Sequence, residues 1–288
     1  MQYNLQEENV LIFKDITLED KSLFDKFEFI CSDYVFSYIY MFADLYKLRI
    51  YHDDRTVIIH SKINKPLFYM PLGDTEYGIE LILNYCKKNK VKPFFAKIPL
   101  GYIEQFKNHH LKIKEDRSSF DYIYRTSDLV NYEGKDFRTP RNNLSNFFKT
   151  CTPDYTDSIY EFKKEFKLFI LEHYDDPDII NPTIRILDSM EDFNFKGGIV
   201  WDSDNIQGFC IYENVSPNTI LSHVELTNNE YRGAHAYMIN EMSKRVDVEY
   251  INKEDDVGMQ GLRRFKESYN PCTMFKKHTA CIDTSCIE

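Results

Sequence analysis

The densest mixture of reactive side chains in the sequence lies between residues 251 and 271. This run contains four acids, four bases, two glycines and one tyrosine. Apolar residues before it and helical spacing after it predict a strand-to-helix connection. Charged groups beside glycine suit a binding or catalytic site, whereas a solvated loop followed by an exposed helix is the alternative for any run of charges.

Three consecutive acids in this run, Glu254, Asp255 and Asp256, are candidate general bases. A group-transfer reaction needs a base to take the proton of the attacking nucleophile. A carboxylate can instead hold the ammonium group of an amino-acid substrate. Asp256, two residues before Gly258, is our first choice for a catalytic role, and Glu254 is the second. A solvated turn acid is the alternative for Asp256.

Two bases, Arg263 and Lys266, lie three residues apart and therefore on one face of the predicted helix. On that face they could meet a phosphate or a developing oxyanion, and the positive end of the helix would add to their effect. We predict that Tyr269 either donates a proton to a leaving oxygen or is a buried, hydrogen-bonded side chain. Asn252, near the start of the run, is assigned to substrate binding.

A second basic segment surrounds Arg141, which precedes two asparagines and follows Lys135 and Arg138. Basic and amide side chains bind phosphate oxygens, so this helix entry is a candidate contact for an RNA backbone or another phosphate. Ordinary surface charge is the alternative. We assign Arg141 to substrate binding.

Composition narrows the class of protein. The 288-residue chain has 36 Lys and Arg against 46 Asp and Glu, and its net charge of -10 opposes a broad nonspecific nucleic-acid surface. Seven cysteines without a CxxC pair, and no HExxH helix, predict neither a disulfide framework nor a metal site. The first residues do not resemble a signal peptide, and no uncharged stretch approaches the roughly 20 residues that span a bilayer. We therefore expect a cytoplasmic protein without a transmembrane segment.

The order of predicted elements is similar in the two halves of the chain. The first half has helices at 17–30, 37–46, 77–89 and 100–108, with strands at 47–52, 56–61, 67–72, 92–98 and 119–124. The second half has helices at 137–149, 159–173, 179–192, 231–245 and 258–266, with strands at 198–201, 206–213, 219–226, 248–251 and 273–281. These patterns predict a mixed α/β chain of two domains, residues 1–130 and 131–288, with the active cleft in the second.

Acyl-CoA N-acyltransferase domains have the same order of elements: helices first, then three antiparallel strands, then alternating helices and strands. The fold prediction is therefore two tandem domains of this kind, by analogy. Such enzymes bind pyrophosphate with backbone amides at a helix start that corresponds here to Gly233. Glu230 and His235 depart from the usual pattern, which weakens acetyl-CoA as a cofactor. Glu225, near the end of the preceding strand, either faces the same cleft and binds substrate or is an exposed acid.

The motifs as a set resemble a known family. Residues 251–258, followed by Gly261-Leu262-Arg263, Lys266, Ser268-Tyr269 and Pro271, resemble an uncharacterised bacterial family related to the C-terminal catalytic domain of phosphatidylglycerol lysyltransferases. Residues 121–124 and 134–142 are similar to the central segment of that family. The resemblance therefore covers most of the chain.

The resemblance implies tandem acetyltransferase-like domains that transfer an aminoacyl group from an aminoacyl-tRNA to a hydroxyl or amine acceptor. Between Gly261 and His278 there are five Lys or Arg against one Glu, so we expect the tRNA acceptor end to dock there. Full-length lysyltransferases carry a multi-span membrane region that is absent from this sequence. The expected acceptor is then a small molecule, or a lipid headgroup reached through a membrane partner. An acyl-CoA-dependent N-acyltransferase and a noncatalytic small-ligand-binding module are the alternatives.

Overall fold

A computed structural model of the chain describes residues 11–28, 31–63 and 66–283. Its strands are β1 (Lys14–Asp15), β2 (Leu48–His52), β3 (Thr56–Ser61), β4 (Leu67–Tyr69), β5 (Leu72–Gly73), β6 (Phe94–Pro99), β7 (Lys112–Glu115), β8 (Asp121–Arg125), β9 (Pro153–Thr156), β10 (Lys196–Asp202), β11 (Asn205–Ser216), β12 (Thr219–Thr227), β13 (Tyr250–Asn252), β14 (Thr273–Phe275) and β15 (Lys277–Cys281). Its α-helices are α1 (Phe36–Phe42), α2 (Thr75–Asn89), α3 (Ile103–Asn108), α4 (Thr126–Asn131), α5 (Arg138–Thr150), α6 (Lys163–His173), α7 (Pro177–Asp188), α8 (Ala234–Arg245) and α9 (Gln260–Glu267).

The first of two compact units consists of the described parts of Met1–Leu23, Phe42–Asp116 and Lys277–Glu288. Its sheet has the strand order β1-β2-β3-β4-β6-β15-β7, and β5 pairs with β3. Helix α2 begins where the Asp74 carboxylate accepts a hydrogen bond from the backbone N–H of Tyr77. Its buried positions repeat at helical spacing, as predicted from the sequence.

The second unit consists of the described parts of Phe24–Met41 and Arg117–Lys276. Its sheet has the order β14-β8-β13-β12-β11-β10-β9. Within this sheet β12 and β13 are parallel, and the other pairs are antiparallel. Helix α8 packs Met238, Ile239 and Met242 into a core that also contains Cys210 and Ile220 of the sheet. The start of α8 lies beside the end of β12, where His235 contacts Glu225.

The two-sheet arrangement confirms the predicted mixed α/β fold class. The division into units differs from the predicted single boundary at residue 130. Strand β8, predicted to belong to the first domain, lies in the second sheet, and β15, predicted to belong to the second domain, lies in the first sheet. Strand β8 pairs with β13 and β14 of the second sheet. The strand predicted over 273–281 divides into two, and its second part, β15, pairs with β6 and β7 of the first sheet.

Several element boundaries also differ from the sequence prediction. The helix predicted over residues 17–30 is a 3-10 turn at Leu18–Leu23, and Phe29 and Ile30 lie outside the described residues. The helix predicted from residue 231 begins at Ala234, because the preceding loop bonds to itself through Asn228. In the part of the chain that the structure describes, no helix is long and apolar enough to cross a bilayer.

Candidate active site

The candidate site lies where the parallel strands β12 and β13 separate. Their pairing ends at Leu221 and Asn252, although β12 continues to Thr227. Beyond Asn252 the chain instead bonds to Tyr122 of β8. A register shift between β11 and β12 also leaves His223 without a paired residue. Such bulges redirect side chains beside active sites. We call the region between residues 222–227 and 253–256 the β12–β13 cleft.

A buried ion pair occupies the centre of this cleft. Lys253 Nζ lies 2.7 Å from Glu225 Oε2, and the lysine side chain is only 2% exposed. The rings of Tyr124, Phe265 and Tyr269 surround the ammonium at 4.9 to 6.0 Å from their centroids. The ammonium has no well-aligned hydrogen-bond acceptor among the described residues. Its charge is therefore balanced by Glu225 and by the aromatic faces.

Two side chains extend this ion pair toward the start of α8. His235 Nε2 lies 2.9 Å from Glu225 Oε2, and His235 Nδ1 lies 3.0 Å from the Tyr269 hydroxyl oxygen. An ionised carboxylate only accepts hydrogen bonds, so Nε2 carries the proton and donates it to Glu225. Nδ1 is then an acceptor for the Tyr269 hydroxyl. The three side chains form a continuous hydrogen-bonded chain, with the tautomer assigned from this network.

The electrostatics of the cleft support these protonation states. Burial acts to raise the pKa of Glu225, but the charge of Lys253 and the hydrogen bond from His235 hold that pKa well below its usual range. Burial and the nearby Lys253 charge lower the pKa of His235, despite its contact with Glu225. Burial also raises the pKa of Tyr269. At neutral pH Glu225 is therefore a carboxylate, His235 a neutral imidazole and Tyr269 a phenol. In this state the imidazole can act as a base.

Asp256, the first choice for a base from the sequence, accepts hydrogen bonds from five donors. Its Oδ2 accepts from Tyr122 Oη at 2.6 Å, Arg263 Nε at 2.8 Å and Arg117 at 3.1 Å. Its Oδ1 accepts from Arg263 at 3.0 Å and from the Gly258 backbone N–H at 2.9 Å. Burial acts against the carboxylate, but Arg263 and Tyr122 lower the pKa of Asp256 overall. This geometry anchors the loop after β13 and occupies Arg263.

The other predicted binding residues hold backbone in place. Lys266 is buried, and its ammonium donates to the carbonyl oxygens of Lys253 and Asp255. The Asn252 side chain donates to Asp121 at 3.1 Å and accepts from the Glu254 backbone N–H at 2.8 Å. The structure therefore brings both residues to the base of the cleft, where they support the loop that carries Lys253.

Arg141 lies outside the contacts of the cleft. It is exposed on α5 and donates to the backbone carbonyl oxygens of Tyr132 and Gly134. These bonds close the loop between α4 and α5. The sequence therefore placed Arg141 correctly at a helix entry, but its guanidinium is already engaged with backbone.

Glu254, the second catalytic candidate, belongs to a separate buried cluster. His223 lies between two glutamates, with Nδ1 at 3.0 Å from Glu254 and Nε2 at 2.9 Å from Glu213. Ser37 Oγ lies 3.1 Å from His223 Nε2 and donates to Glu213. Burial alone would lower the pKa of His223, but the two glutamates outweigh it and raise the pKa to about 9. Because the raised pKa keeps His223 an imidazolium at neutral pH, His223 has no free ring nitrogen with which to take the Ser37 proton.

The His223 cluster predicts a loss of stability at alkaline pH. The pKa of His223 rises from 6.5 to about 9 on folding, so its contribution is complete below pH 6.5 and disappears as pH rises through 9. We expect the free energy of unfolding to fall by on the order of 3 kcal/mol across this window. Urea unfolding at several pH values measures it. A His223→Gln variant should lack this slope, and equal slopes in the two proteins would contradict the assignment.

Sequence reasoning assigned no role to Lys253 or His223 and treated His235 only as a departure from a cofactor pattern. Lys253 sits in a charge run, and such runs normally indicate solvent exposure. Its partner Glu225 is 28 positions away, on another strand. The usable signal was an acid near the end of one strand and a histidine at the start of the following helix. The strand ends and the helix begins at the same end of the sheet, so these two side chains can meet there.

Two solved structures share the fold of this chain. A conserved protein of unknown function from Bacteroides thetaiotaomicron VPI-5482 superposes with a TM-score of 0.84 and 25% identity, covering 95% of this chain and 100% of that one. The L-PGS from Bacillus licheniformis superposes with a TM-score of 0.69 and 13% identity, covering 96% and 94%. At that identity the second likeness shows the fold alone.

The sequence comparison gives the family. The family described as "Phosphatidylglycerol lysyltransferase, C-terminal" matches residues 25–281, and this chain therefore belongs to it. The resemblance inferred from the motifs is confirmed. An uncharacterised protein of Mycoplasmoides gallisepticum (strain R(low / passage 15 / clone 2)) is 23% identical over 175 residues. That match spans 56% of this chain and 56% of the relative, or about half the length of each.

Proposed function

We propose that this protein transfers an aminoacyl group from an aminoacyl-tRNA to a hydroxyl or amine acceptor in the β12–β13 cleft. The observation that carries the proposal is the hydrogen-bonded chain of Glu225, His235 and Tyr269. It provides a neutral base beside an ionised carboxylate, and in aminoacyl transfer a base takes the proton of the acceptor. Membership of a family named for lysyl transfer to phosphatidylglycerol supports this reaction class.

The proposed reaction moves one proton in each direction. The acceptor oxygen or nitrogen attacks the ester carbonyl carbon of the donor, and Tyr269 takes the acceptor proton as its own proton passes to Nδ1 of His235. Glu225 stabilises the imidazolium that forms. The bond from the carbonyl carbon to the ribose oxygen then breaks, and the proton returns by the same path to that oxygen.

Lys253 is the proposed source of positive charge for the tetrahedral intermediate. A cation in a site that excludes water stabilises a developing oxyanion more strongly than the same cation does in water. Lys253 is already desolvated, and Glu225 and three rings hold its ammonium in position. Asp256, Arg263 and Lys266 have supporting roles in this proposal, since they fix the loop on which Lys253 is mounted.

The proposed acceptor is a hydroxyl or amine carried by a small molecule or by a lipid headgroup. The glycerol headgroup of phosphatidylglycerol is the acceptor that the family name indicates, and it presents alcohol groups of the reactive type. The reaction at the ester carbon is the same for either source. Vesicles and soluble alcohols or amines therefore serve as separate arms of one assay.

Four backbone amides of the loop before α8 are engaged within the protein, which leaves fewer of them for the pyrophosphate of an acyl-CoA donor. Acyl-CoA binding at this position uses free backbone amides. Here the N–H groups of Asn228, Tyr231 and Ala234 bond to carbonyl oxygens, and that of Glu230 bonds to the Asn228 side chain. In addition, a Cβ atom on Gly233 would come within 2.1 Å of the Asn143 carbonyl oxygen, so α5 closely covers this loop.

Binding of a stable donor analogue tests the proposed donor. We expect an amide-linked 3′-aminoacylamino-adenosine to raise the melting temperature, because it presents to His235 and Lys253 an unreactive amide in place of the donor ester. At about 100 times its Kd, one bound ligand adds about 2.7 kcal/mol to the free energy of unfolding. A panel of amino acids on this scaffold, with adenosine alone as control, identifies the preferred donor. Stabilisation by acetyl-CoA and by none of the analogues would overturn the donor assignment.

A further inference from the structure

Helix α5 carries a net positive charge, although the protein as a whole is acidic. Between Arg138 and Thr150 it has three bases and no acid, whereas the whole chain has a net charge of -10. Its buried face is formed by Pro140 and Phe147. The exposed positions are Arg138, Thr139, Arg141, Asn142, Ser145, Phe148, Lys149 and Thr150. The outer face of α5 therefore presents cationic, amide and hydroxyl groups.

The bases on and beside this face are not neutralised by acids. Within the described ranges, no carboxylate forms an ion pair with Arg138 or Lys149, or with Arg232 in the loop before α8. Phe137 supplies no side-chain cap to the first turn of α5, so the positive end of this 13-residue helix adds to Arg138. The result is a helix of net positive charge, preceded by the exposed acids Glu133 and Asp136 in the loop before it.

Helix α5 contacts the start of α8, which belongs to the candidate site. The Asn143 carbonyl oxygen on α5 lies against Gly233, the residue that caps α8, and His235 is the second residue of α8. Phe148 adds an exposed ring to the same helix, 5.6 Å from the ring of Tyr237. Helix α5 therefore lies beside the start of α8, the element that carries His235.

We propose that α5 docks the RNA backbone of the donor, so that the aminoacylated 3′ end enters the β12–β13 cleft. The inference rests on the proposed function and deepens it. Arg138 and Lys149 form no ion pair with a carboxylate among the described residues and can neutralise phosphates, while the amides and hydroxyls of α5 can donate to phosphate oxygens. The exposed ring of Phe148 provides a stacking surface for an unpaired base. The net charge of -10 opposes nonspecific RNA binding over the surface as a whole, so a local excess of bases is needed for docking.

Binding of uncharged tRNA at several salt concentrations tests the inference without the transfer reaction. The variant is Arg138→Ala with Lys149→Ala, since alanine keeps the helix and neither side chain belongs to the candidate site. We expect its Kd for tRNA to rise roughly 10-fold, and the slope of log K against log salt to become shallower by about 2. The matched control is Lys87→Ala with Lys164→Ala, which removes the same charge from exposed positions on other helices.

The outcomes separate this inference from the proposed function. The control double variant should bind tRNA as the unaltered protein does, and kcat at saturating aminoacyl-tRNA should be the same in all three proteins. An α5 variant with an unchanged Kd and salt slope overturns the docking inference, even where transfer is observed. A wild-type protein that does not bind tRNA also overturns it. Salt-dependent binding through α5 without any transfer supports the docking surface and counts against the proposed reaction.

Discussion

Replacing His235 by alanine should lower kcat for aminoacyl transfer by about 10²- to 10⁴-fold, the usual contribution of a positioned base. His235 connects the Tyr269 hydroxyl to the Glu225 carboxylate, and alanine removes the proton acceptor from that chain. The Glu225 and Lys253 ion pair remains, so donor binding should change little. Because the pKa of His235 is lowered, transfer by the unaltered protein should be lost only when pH falls below the usual range of histidine.

Two further variants make the His235 result specific. His235→Gln keeps a donor for Glu225 but cannot take a proton, so its kcat should fall almost as far with an unchanged KM. His52→Ala removes an exposed histidine from the first unit and should leave transfer unaffected. A His235→Ala protein that folds normally and keeps half of the transfer rate would contradict the assigned base.

Replacing Asp256 by alanine should destabilise the fold by about 1 to 3 kcal/mol, because the buried Tyr122 hydroxyl and two partly exposed guanidinium groups lose an acceptor. The Asp256 side chain is fully buried against Arg117 and Arg263, and five donors converge on it. Alanine leaves both guanidinium groups and the Tyr122 hydroxyl without that acceptor. This loss is a large fraction of the 5 to 15 kcal/mol that typically stabilises a domain.

Urea unfolding measures the Asp256 effect directly. Asp204→Ala is the matched control, because this aspartate is exposed in the turn between β10 and β11. Its free energy of unfolding should stay within about 0.5 kcal/mol of the unaltered protein. An Arg263→Ala change made in the Asp256→Ala background should restore part of the loss, since it removes one uncompensated charge. A cost below about 1 kcal/mol for Asp256→Ala would show that the pair does not anchor the loop.

Local patterns in the sequence were sufficient for most of the fold. Asp74 caps α2, and the apolar spacing of α2 matches its buried face. The assignment of neighbouring strands to different sheets could not be predicted from local patterns, because nothing in residues 273–281 distinguishes a partner strand in one sheet from a partner strand in the other. The chain divides there into β14 and β15, and only pairing with distant strands determines which sheet receives each part.

The candidate site was predicted in outline, since the residue types were found but their partners were not. Glu225 and Tyr269 were both proposed from the sequence, and the structure joins them through His235. Lys253 was missed because burial of a lysine depends on a carboxylate and aromatic rings from three other elements. Asp256 was identified as important, but its burial beside two arginines gives it an anchoring geometry.

The central claim is tested most directly by following a labelled amino acid from a charged tRNA pool into acceptors. Phosphatidylglycerol vesicles and soluble alcohols or amines are supplied in separate reactions, with acetyl-CoA as the alternative donor. We predict that label leaves the RNA and enters at least one acceptor in the presence of the protein, and that His235→Ala abolishes nearly all of this transfer. Label that stays on the RNA with every acceptor, or equal transfer by the His235→Ala protein, would contradict the proposed aminoacyltransferase.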